Sequence, residues 1–316
     1  ILFSGKSATG VEYVQKGQTK TAHARVEVIL SSGAINSPQL LQLSGIGPGA
    51  VLQQHGINVL TNSPNVGQNL QDHLGSDIHY RSNVPTLNQE LGPIFGKLRA
   101  GLHYIIKRKG PLSLSLNQGG GFVKVNPNIL GPELQLYFSP VSYTRAPVGV
   151  RPLMKPDPFY GFLMGFNPCK PTSTGYLQIC SKDPTLQPKI YPNYLDTDYD
   201  KKMMLSGIHL IRQIANTPTM KSVIESEISP GKEAISDEDI MSFVRHEAWT
   251  VFHPCSTCRM GKDPNSSVVD PNLRVHGIDR LRIADASVFP SIPTGNINAP
   301  SIMVGERASD IILKNA

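Results

Sequence analysis

The chain has 316 residues, 39% of them hydrophobic, so it can bury the core of one large domain or of two smaller ones. Its 28 Gly and 26 Pro are spread along the sequence without a repeat, which indicates an ordered protein with many turns and excludes collagen, solenoid and coiled-coil architectures. The formal net charge is +6, but Lys and Arg alternate with Asp and Glu and form no long basic run. This pattern argues against a nucleic-acid partner, whereas an acidic membrane surface or an anionic substrate is compatible with it.

No apolar stretch of the sequence approaches the roughly 20 residues that span a bilayer, so no transmembrane helix is predicted. Residues 1–6 resemble neither a start site nor a signal peptide, and the first residue is Ile rather than Met. We therefore expect the chain to be the carboxyl-terminal part of a longer protein, either cytoplasmic or peripherally associated with a membrane. The four cysteines are too few to indicate a disulfide scaffold.

The first predicted elements are two strands joined by a turn: residues 11–14, the turn Lys16-Gly17 and residues 24–30. A helix is predicted next, at residues 39–43. Ser37 can accept a hydrogen bond from an unpaired helix amide. Pro38 lacks the amide proton that would stay unpaired at the first helical position. Gly45 tolerates the left-handed backbone that ends such a helix.

Between about residues 75 and 245 the sequence changes to short apolar runs separated by Pro, Gly and Asn. Such runs are typical of an antiparallel sheet with turns between its strands. The three clearest runs are residues 134–138, 159–166 and 175–179. A helix is predicted at residues 201–215, where apolar side chains recur at helical spacing.

The last part of the chain predicts a short buried strand at residues 281–284 that runs into Asp285, followed by an apolar helix from Pro300 to about Leu313. A strand whose end faces the amino terminus of a helix is the geometry in which α/β sheets bind nucleotides.

Three stretches of the sequence carry a family resemblance. They are SGAINSPQLL with the following SGIGP (residues 32–48), VGQNLQDH (residues 66–73), and FHP (residues 252–254) followed by DAS (residues 285–287) and GNINAP (residues 295–300). In this order and at these separations they resemble the glucose-methanol-choline (GMC) oxidoreductases, with choline dehydrogenase-like members the most similar. The resemblance extends over essentially the whole chain, although the middle third matches in its pattern of short apolar runs and turn residues more than in motifs.

The resemblance implies a mixed α/β and α+β fold, in which part of a Rossmann-like, glutathione-reductase-type FAD domain is interrupted by a substrate domain built on an antiparallel sheet. Residues 1–73 and 246–316 would belong to the FAD-binding domain. Residues 74–245 would form the substrate-binding domain.

His253 is the first candidate for a catalytic residue, because it matches the family's catalytic His. Oxidation of an alcohol needs a base for the hydroxyl proton while the carbon-bound hydrogen leaves as hydride to flavin N5, and imidazole titrates near working pH. Without the resemblance, one His among nine would more often be structural.

Asn296 matches the family's second catalytic position, which holds His or Asn. Its amide can donate to the substrate oxygen as negative charge develops there; the alternative is an ordinary turn Asn. The resemblance places Asn298 beside the flavin pyrimidine ring. The helix that begins near Pro300 would direct its positive amino terminus toward the reduced flavin.

The resemblance also implies residues that hold FAD at two strand ends. Asp285, with Ala286 after it, corresponds to the acidic position that contacts the ribityl chain or the pyrophosphate; the alternative is a solvent-facing turn Asp. Ser32, Gly33 and Ala34 would approach the adenosine, where small residues let the backbone come close.

Trp249 and Phe252 are candidates for the substrate pocket, although a large aromatic side chain is as often part of the core. Cys255 and Cys258 form a CxxC pair, which could be a redox dithiol or half of a zinc site. No second pair has matching spacing, so we predict no metal and expect these thiols to line the loop behind His253.

The sequence departs from the family in one respect. The phosphate-binding G-x-G-x-x-G is missing, and the run Gly119-Gly120-Gly121 has the wrong spacing and lies in the middle segment. We therefore expect the amino-terminal half of the FAD domain to be supplied outside these residues, and the isolated chain to bind FAD weakly or not at all.

The function that the resemblance implies is oxidation of a primary alcohol, choline-like, aliphatic or aromatic, to the aldehyde. The partners would be FAD, the small-molecule alcohol and an electron acceptor, either oxygen or a quinone. Two alternatives stay open. One is a truncated fragment without catalytic activity, and the other is a flavin-dependent lyase that uses His253 as acid and base.

Overall fold

The computed structural model of the protein describes residues 1–143 and 155–314. The strands are β1 (Leu2–Ser4), β2 (Ser7–Gln15), β3 (Gln18–His23), β4 (Val28–Leu30), β5 (Ile46–Gly47), β6 (Thr61–Asn62), β7 (Gln68–Leu70), β8 (Leu74–Ser82), β9 (Gly119–Val123), β10 (Leu134–Ser139), β11 (Gly161–Pro168), β12 (Gly175–Gln178), β13 (Lys189–Tyr191), β14 (Ile224–Ser229), β15 (Trp249–Thr250) and β16 (Leu281–Ile283). The helices are α1 (Gly33–Leu43), α2 (Gly49–Gln54), α3 (Leu87–Leu91), α4 (Ile94–Lys107), α5 (Asp198–Ala215), α6 (Pro218–Lys221), α7 (Asp237–Glu247) and α8 (Asn298–Leu313). Two 3-10 turns occur at Pro111–Ser113 and Ala286–Val288.

The described chain divides into two compact units. The first consists of Ile1–His73, Lys170–Thr197 and Val251–Ala316, and the second of Leu74–Cys169 and Asp198–Thr250. Among the described residues, no helix is long and apolar enough to cross a bilayer.

The first unit begins with an antiparallel sheet of β1, β2 and β3. The predicted turn between β2 and β3 is confirmed, and both of its residues, Lys16 and Gly17, have positive φ (52° and 76°), as a tight two-residue hairpin requires. The predicted strand at residues 24–30 is wrong in extent. Only β4 is a strand there, because its partner is β16 rather than the hairpin.

β4 and β16 form a parallel pair in which Val28 lies opposite Leu281 and Leu30 opposite Ile283. All four of these side chains are buried, and they belong to one continuous apolar core with residues from both ends of the chain. Because the strands are parallel, their carboxyl ends lie at one edge. The chain continues from β4 into α1 and from β16 into the 3-10 turn Ala286–Val288, so two short connections meet at that edge.

Helix α1 starts at Gly33, six residues before the predicted start, and Pro38 lies inside it. A proline there cannot donate to the carbonyl of Ala34, one turn earlier. The hydroxyl of Thr257 donates to that carbonyl instead, at 2.6 Å. A side chain more than 200 residues away thus offsets the lost hydrogen bond and lets the helix begin early.

The second unit contains a sheet with strand order β14-β8-β11-β10-β9, to which β15 adds beside β8. Its neighbouring strands are antiparallel, which confirms the prediction that the runs at residues 134–138 and 159–166 form strands of an antiparallel sheet. Helix α5 packs on β11 and confirms the predicted helix at residues 201–215. Gly207 of α5 makes the close approach possible, because a Cβ atom there would lie 2.1 Å from the Phe166 ring.

The predicted run at residues 175–179 also forms a strand, β12, but in the first unit, where it lies between β7 and β13. The run Gly119-Gly120-Gly121 lies in β9. Phosphate is bound at a turn between a strand and a helix, whereas these three glycines lie within a strand. Their position agrees with the prediction that they are not a dinucleotide fingerprint.

Candidate active site

Two of the motifs meet in the first unit. The amide of Gln71 donates to the carbonyl of Cys255 at 3.2 Å, and the amide of Cys255 donates back to the carbonyl of Gln71 at 3.0 Å. Two residues after Gln71, the carbonyl of His73 accepts from the amide of Val251 at 3.0 Å. These bonds hold residues 71–73 antiparallel to residues 251–255 and bring His253 beside Asp72 and His73.

His253 is buried and its ring contacts the fully buried ring of His73. The two Nδ1 atoms are 2.9 Å apart, and the rings meet edge to face, with centroids 5.2 Å apart and planes at 84°. In such a contact one Nδ1 donates and the other accepts, so at least one of the two imidazoles is neutral. When His253 is the donor, its Nε2 has a free lone pair.

Asp72 fixes the backbone at His253. One carboxylate oxygen accepts from the amide of His253 at 2.8 Å, and the other accepts from the hydroxyl of Tyr194. Burial lowers the pKa of His253 below its usual value, and the negative charge of Asp72 offsets part of that lowering. The imidazole is therefore neutral at pH 7, as a general base must be.

Gln71 connects this pair to the loop that carries Asn296. Its side-chain oxygen accepts from the amide of Ile292 at 3.0 Å, and its side-chain nitrogen donates to the carbonyl of Pro171 at 3.1 Å. Asn296 and Asn298 are both exposed. The first turn of α8, which includes Pro300, has neither a side-chain cap nor an acidic residue.

Asp285 is buried, unlike the solvent-facing turn residue that was the alternative. One carboxylate oxygen accepts from the amide of Gly33 at 3.0 Å and from the hydroxyl of Ser37 at 2.6 Å, while the other accepts from the amide of Ser287 at 2.8 Å. The Ser37 hydroxyl in turn accepts from the amide of Ser32 at 3.1 Å. The structure thus brings the predicted residues at the two strand ends together.

The segment after His253 runs along the 3-10 turn that contains Ala286. The amide of Ser256 donates to the carbonyl of Ala286 at 3.2 Å, and the amide of Cys258 donates to the carbonyl of Ser287 at 2.8 Å. Cys255 and Cys258 are free and buried, and burial raises the pKa of the Cys255 thiol to about 12. Such a thiol is not a ready nucleophile. Within the described residues, no three His, Cys, Asp or Glu side chains are grouped to hold a metal ion.

Trp249 and Phe252, the candidates for the substrate pocket, differ in surroundings. Trp249 is half-buried in β15 of the second unit, opposite Gly75 of β8. Phe252 belongs to the first unit, has a positive φ of 61° and is 77% exposed. The second unit contains a cavity of about 430 Å³ that neither residue lines. Its lining is aromatic and acidic, with Asp77, Tyr143, Asp157, Phe159, Phe243 and Glu247 among its residues.

Sequence reasoning missed Gln71, Asp72, His73 and Tyr194 as functional candidates. The first three were visible only as part of a motif, and nothing local indicates that they contact a segment 180 residues later. No sequence pattern indicated Tyr194. It lies in Lys170–Thr197, a segment of the first unit that falls in sequence between the two segments of the second unit.

Comparison with known proteins gives matches over nearly the whole chain. The GMC oxidoreductase family models match residues 1–75 and 171–305. An alcohol dehydrogenase [acceptor] of Pseudomonas putida is 41% identical over 99% of this chain and 56% of its own length. The human mitochondrial choline dehydrogenase is 40% identical over 99% of this chain and 52% of its own length. The chain therefore spans about half the length of the curated relatives it matches.

Solved structures agree with the sequence matches. Formate oxidase from Aspergillus oryzae superposes with a TM-score of 0.90 at 30% identity, over 98% of this chain and 58% of that one. Pyridoxine 4-oxidase from Mesorbium loti gives 0.81 at 27% identity, over 98% and 55%. The formate oxidase structure concerns the modification of its FAD. The predicted resemblance and fold class are confirmed, and the chain belongs to the GMC oxidoreductase family.

Proposed function

We propose that the protein oxidises a primary alcohol, choline-like, aliphatic or aromatic, to the aldehyde, with His253 as the base and FAD as the cofactor. The observation that carries this proposal is the buried pair of His253 and His73, held from one side by Asp72. When bound, FAD would supply the acceptor for the hydride of the carbinol carbon, and oxygen or a quinone would be the electron acceptor.

The residues of the first unit fit FAD. A Cβ atom at Gly33 would meet nothing within 4 Å, so the backbone there has open space beside it. The first turn of α8 presents amides that no side chain caps, and such a turn favours an anionic acceptor. We assign the strand-end side to Ser32, Gly33, Ala34, Asp285 and Ala286, and the flavin side to Asn298 and Pro300. The amide of Gly33 already bonds to Asp285, so Gly33 would offer space rather than a donor.

We assign the first unit to cofactor binding and the second unit to substrate binding. The parallel pair of β4 and β16, with α1 following at its carboxyl edge, supports the first assignment. The antiparallel sheet and the cavity lined by Asp77 and Phe159 support the second.

The proposed role requires the tautomer of His253 that carries its proton on Nδ1, and the contact with His73 is compatible with that tautomer. His253 can act as a base only through Nε2, and it does so when its Nδ1 donates to Nδ1 of His73. After Nε2 takes the hydroxyl proton, the imidazolium keeps the same donor bond, so no rearrangement is needed. His73 is therefore a positioning residue. We propose that the amide of Asn296 donates to the substrate oxygen while that proton leaves.

The proposal predicts that His73 acts through hydrogen-bond acceptance. His73→Asn keeps a carbonyl oxygen that can accept from His253, whereas His73→Ala does not. We expect His73→Asn to retain clearly more turnover than His73→Ala, and both to exceed a variant without His253. The measurement is kcat of the FAD-loaded, full-length protein. Equal turnover of the two His73 variants would show that acceptance at Nδ1 is irrelevant.

A second prediction concerns pH. A base works only when deprotonated, and the pKa of His253 is lowered by burial, so kcat/KM should fall on the acid side only below about 6.5. Asp72→Asn removes the negative charge that offsets this lowering. We therefore expect the acid-side fall of kcat/KM to move to lower pH in Asp72→Asn. Asp237→Asn removes an exposed carboxylate beside His209 and should leave the profile unchanged. A shift to higher pH in Asp72→Asn contradicts the assignment.

The reaction class is tested on the full-length protein with an artificial electron acceptor and a panel of primary alcohols. An alcohol dehydrogenase or oxidase reduces the acceptor and releases aldehyde in equal amounts. A lyase releases product without reducing the acceptor, and a fragment without catalytic activity does neither. Either of the last two results rejects the proposed function.

A further inference from the structure

Helix α4 of the second unit carries its apolar side chains on the outside. Of the 27 large hydrophobic side chains that are exposed in the described part of the chain, 12 lie between residues 94 and 130. A helix on the surface of a soluble domain normally has the opposite arrangement, with its apolar stripe against the core. The concentration of exposed apolar groups here therefore needs a partner or a solvent other than water.

The exposed residues of α4 form one continuous stripe. Ile94, Leu98, Leu102 and Ile105 follow one another at helical spacing, and each is at least 60% exposed. Phe95, which is 81% exposed, and Ile106, 67% exposed, widen the stripe on one side. Over the 14 residues of α4 the stripe extends about 20 Å along the helix.

The orientation of α4 is fixed by its inner side. Ala100 is the buried residue of the helix, and Gly96 and Tyr104 lie near it on the same side. A Cβ atom at Gly96 would lie 1.9 Å from the carbonyl oxygen of Glu90, so the backbone of α4 is packed closely on the end of α3. Rotation that turned the stripe inward would force a large side chain into this contact. The stripe is thus held outward by packing.

Positive charge accompanies the stripe. Residues 91–132 are an exception to the mixing of charges along the chain, because they contain six Lys and Arg and neither Asp nor Glu. Lys107, Arg108 and Lys109 follow one another at the end of the helix, and all three are exposed. The chain then places Leu112 and Leu114, 50% and 60% exposed, directly after this basic run.

We propose that α4 and the turn after it, residues 94–114, bind the surface of a bilayer that contains anionic lipid. An outward apolar stripe with basic residues beside it is the arrangement of helices that lie in the membrane interface. The stripe would enter the boundary between headgroups and acyl chains, and the basic residues would meet lipid phosphates. A second copy of the chain is a poorer occupant, because it would bring two uncompensated basic segments together. This proposal does not depend on the proposed function.

The test is flotation of the FAD-loaded, full-length protein with phosphatidylcholine vesicles, with and without phosphatidylglycerol. We expect binding to vesicles that contain phosphatidylglycerol, weaker binding without it, and weakening by salt. Leu98→Glu with Leu102→Glu should lower the partition coefficient about tenfold or more, since it removes two apolar anchors. Ile190→Glu alters an exposed apolar residue of β13 in the first unit and should float like the unaltered protein.

Lys107→Glu with Lys109→Glu provides a second test on the same surface. It leaves the stripe intact and should abolish the preference for phosphatidylglycerol. Flavin absorbance and the thermal unfolding midpoint of these variants in detergent should equal those of the unaltered protein, which shows that they are folded. Failure of the unaltered protein to float with any vesicle overturns the proposal. So does a concentration-dependent dimer, seen by sedimentation, that Leu98→Glu dissociates.

Discussion

His253→Ala is expected to lower kcat of the full-length, FAD-loaded protein by about 10²- to 10⁴-fold, the range for loss of a general base. Its imidazole is neutral because burial lowers its pKa, and Nδ1 is engaged with His73, so Nε2 is the atom left for the substrate proton. Alanine offers no replacement at that point. The measurement is steady-state turnover with an artificial acceptor, with the flavin absorbance used to count loaded sites.

A matched control separates this effect from general damage. His246→Ala removes an exposed imidazole at the end of α7 whose Nδ1 bonds to the carbonyl of Ser242 one turn earlier, and it should keep turnover within about twofold, as expected for a surface substitution. Near-normal turnover in His253→Ala would mean that another group takes the proton. A loss of flavin absorbance in that variant would point to a structural role instead.

Asp285→Ala is expected to lower the free energy of unfolding by about 3 kcal/mol or more, because hydrogen bonds to a charged group contribute about 1.5–3 kcal/mol each. The buried carboxylate accepts three hydrogen bonds, from Gly33, Ser37 and Ser287, and so joins the start of α1 to the end of β16. The loss should be seen by denaturant unfolding after FAD has been removed, since it does not depend on the cofactor.

Asp310→Ala is the control for this prediction. Asp310 forms an exposed ion pair with Arg307 at 3.8 Å, with both side chains more than 60% exposed, and such pairs contribute about 1 kcal/mol at most. If Asp285→Ala destabilises the protein only when FAD is present, Asp285 serves mainly the cofactor. Equal stability of the two variants would mean that the three hydrogen bonds contribute nothing net.

Local patterns in the sequence were enough to predict much of the fold. The strands β10, β11 and β16 were predicted from short apolar runs, and the helix α5 was predicted from apolar residues at helical spacing. The start of α1 could not be predicted, since Pro38 is tolerated there through a hydroxyl on Thr257. The sheet to which β12 belongs could not be predicted either, because the sequence of β12 is a short apolar run like the others between residues 75 and 245.

The candidate site shows the same division. His253 and Asn296 could be proposed from motifs, because each has a family position to match. The contact of His253 with His73 and Asp72 depends on pairing between segments about 180 residues apart, and no periodicity or spacing records such a pairing. The burial of Asp285 likewise follows from its bonds to α1 rather than from its own neighbours.

The pairing of β4 with β16 constrains how the protein is made. The partner of β4 is translated about 250 residues later, which at roughly 5–20 residues per second takes about 10–50 s on the ribosome. Throughout that interval β4 lacks its β16 partner along one hydrogen-bonding edge and exposes the Val28 and Leu30 side chains, features that promote aggregation. A premature stop anywhere before Leu281 would leave that edge without β16, so nascent chains of this protein should depend on chaperones until β16 has been translated.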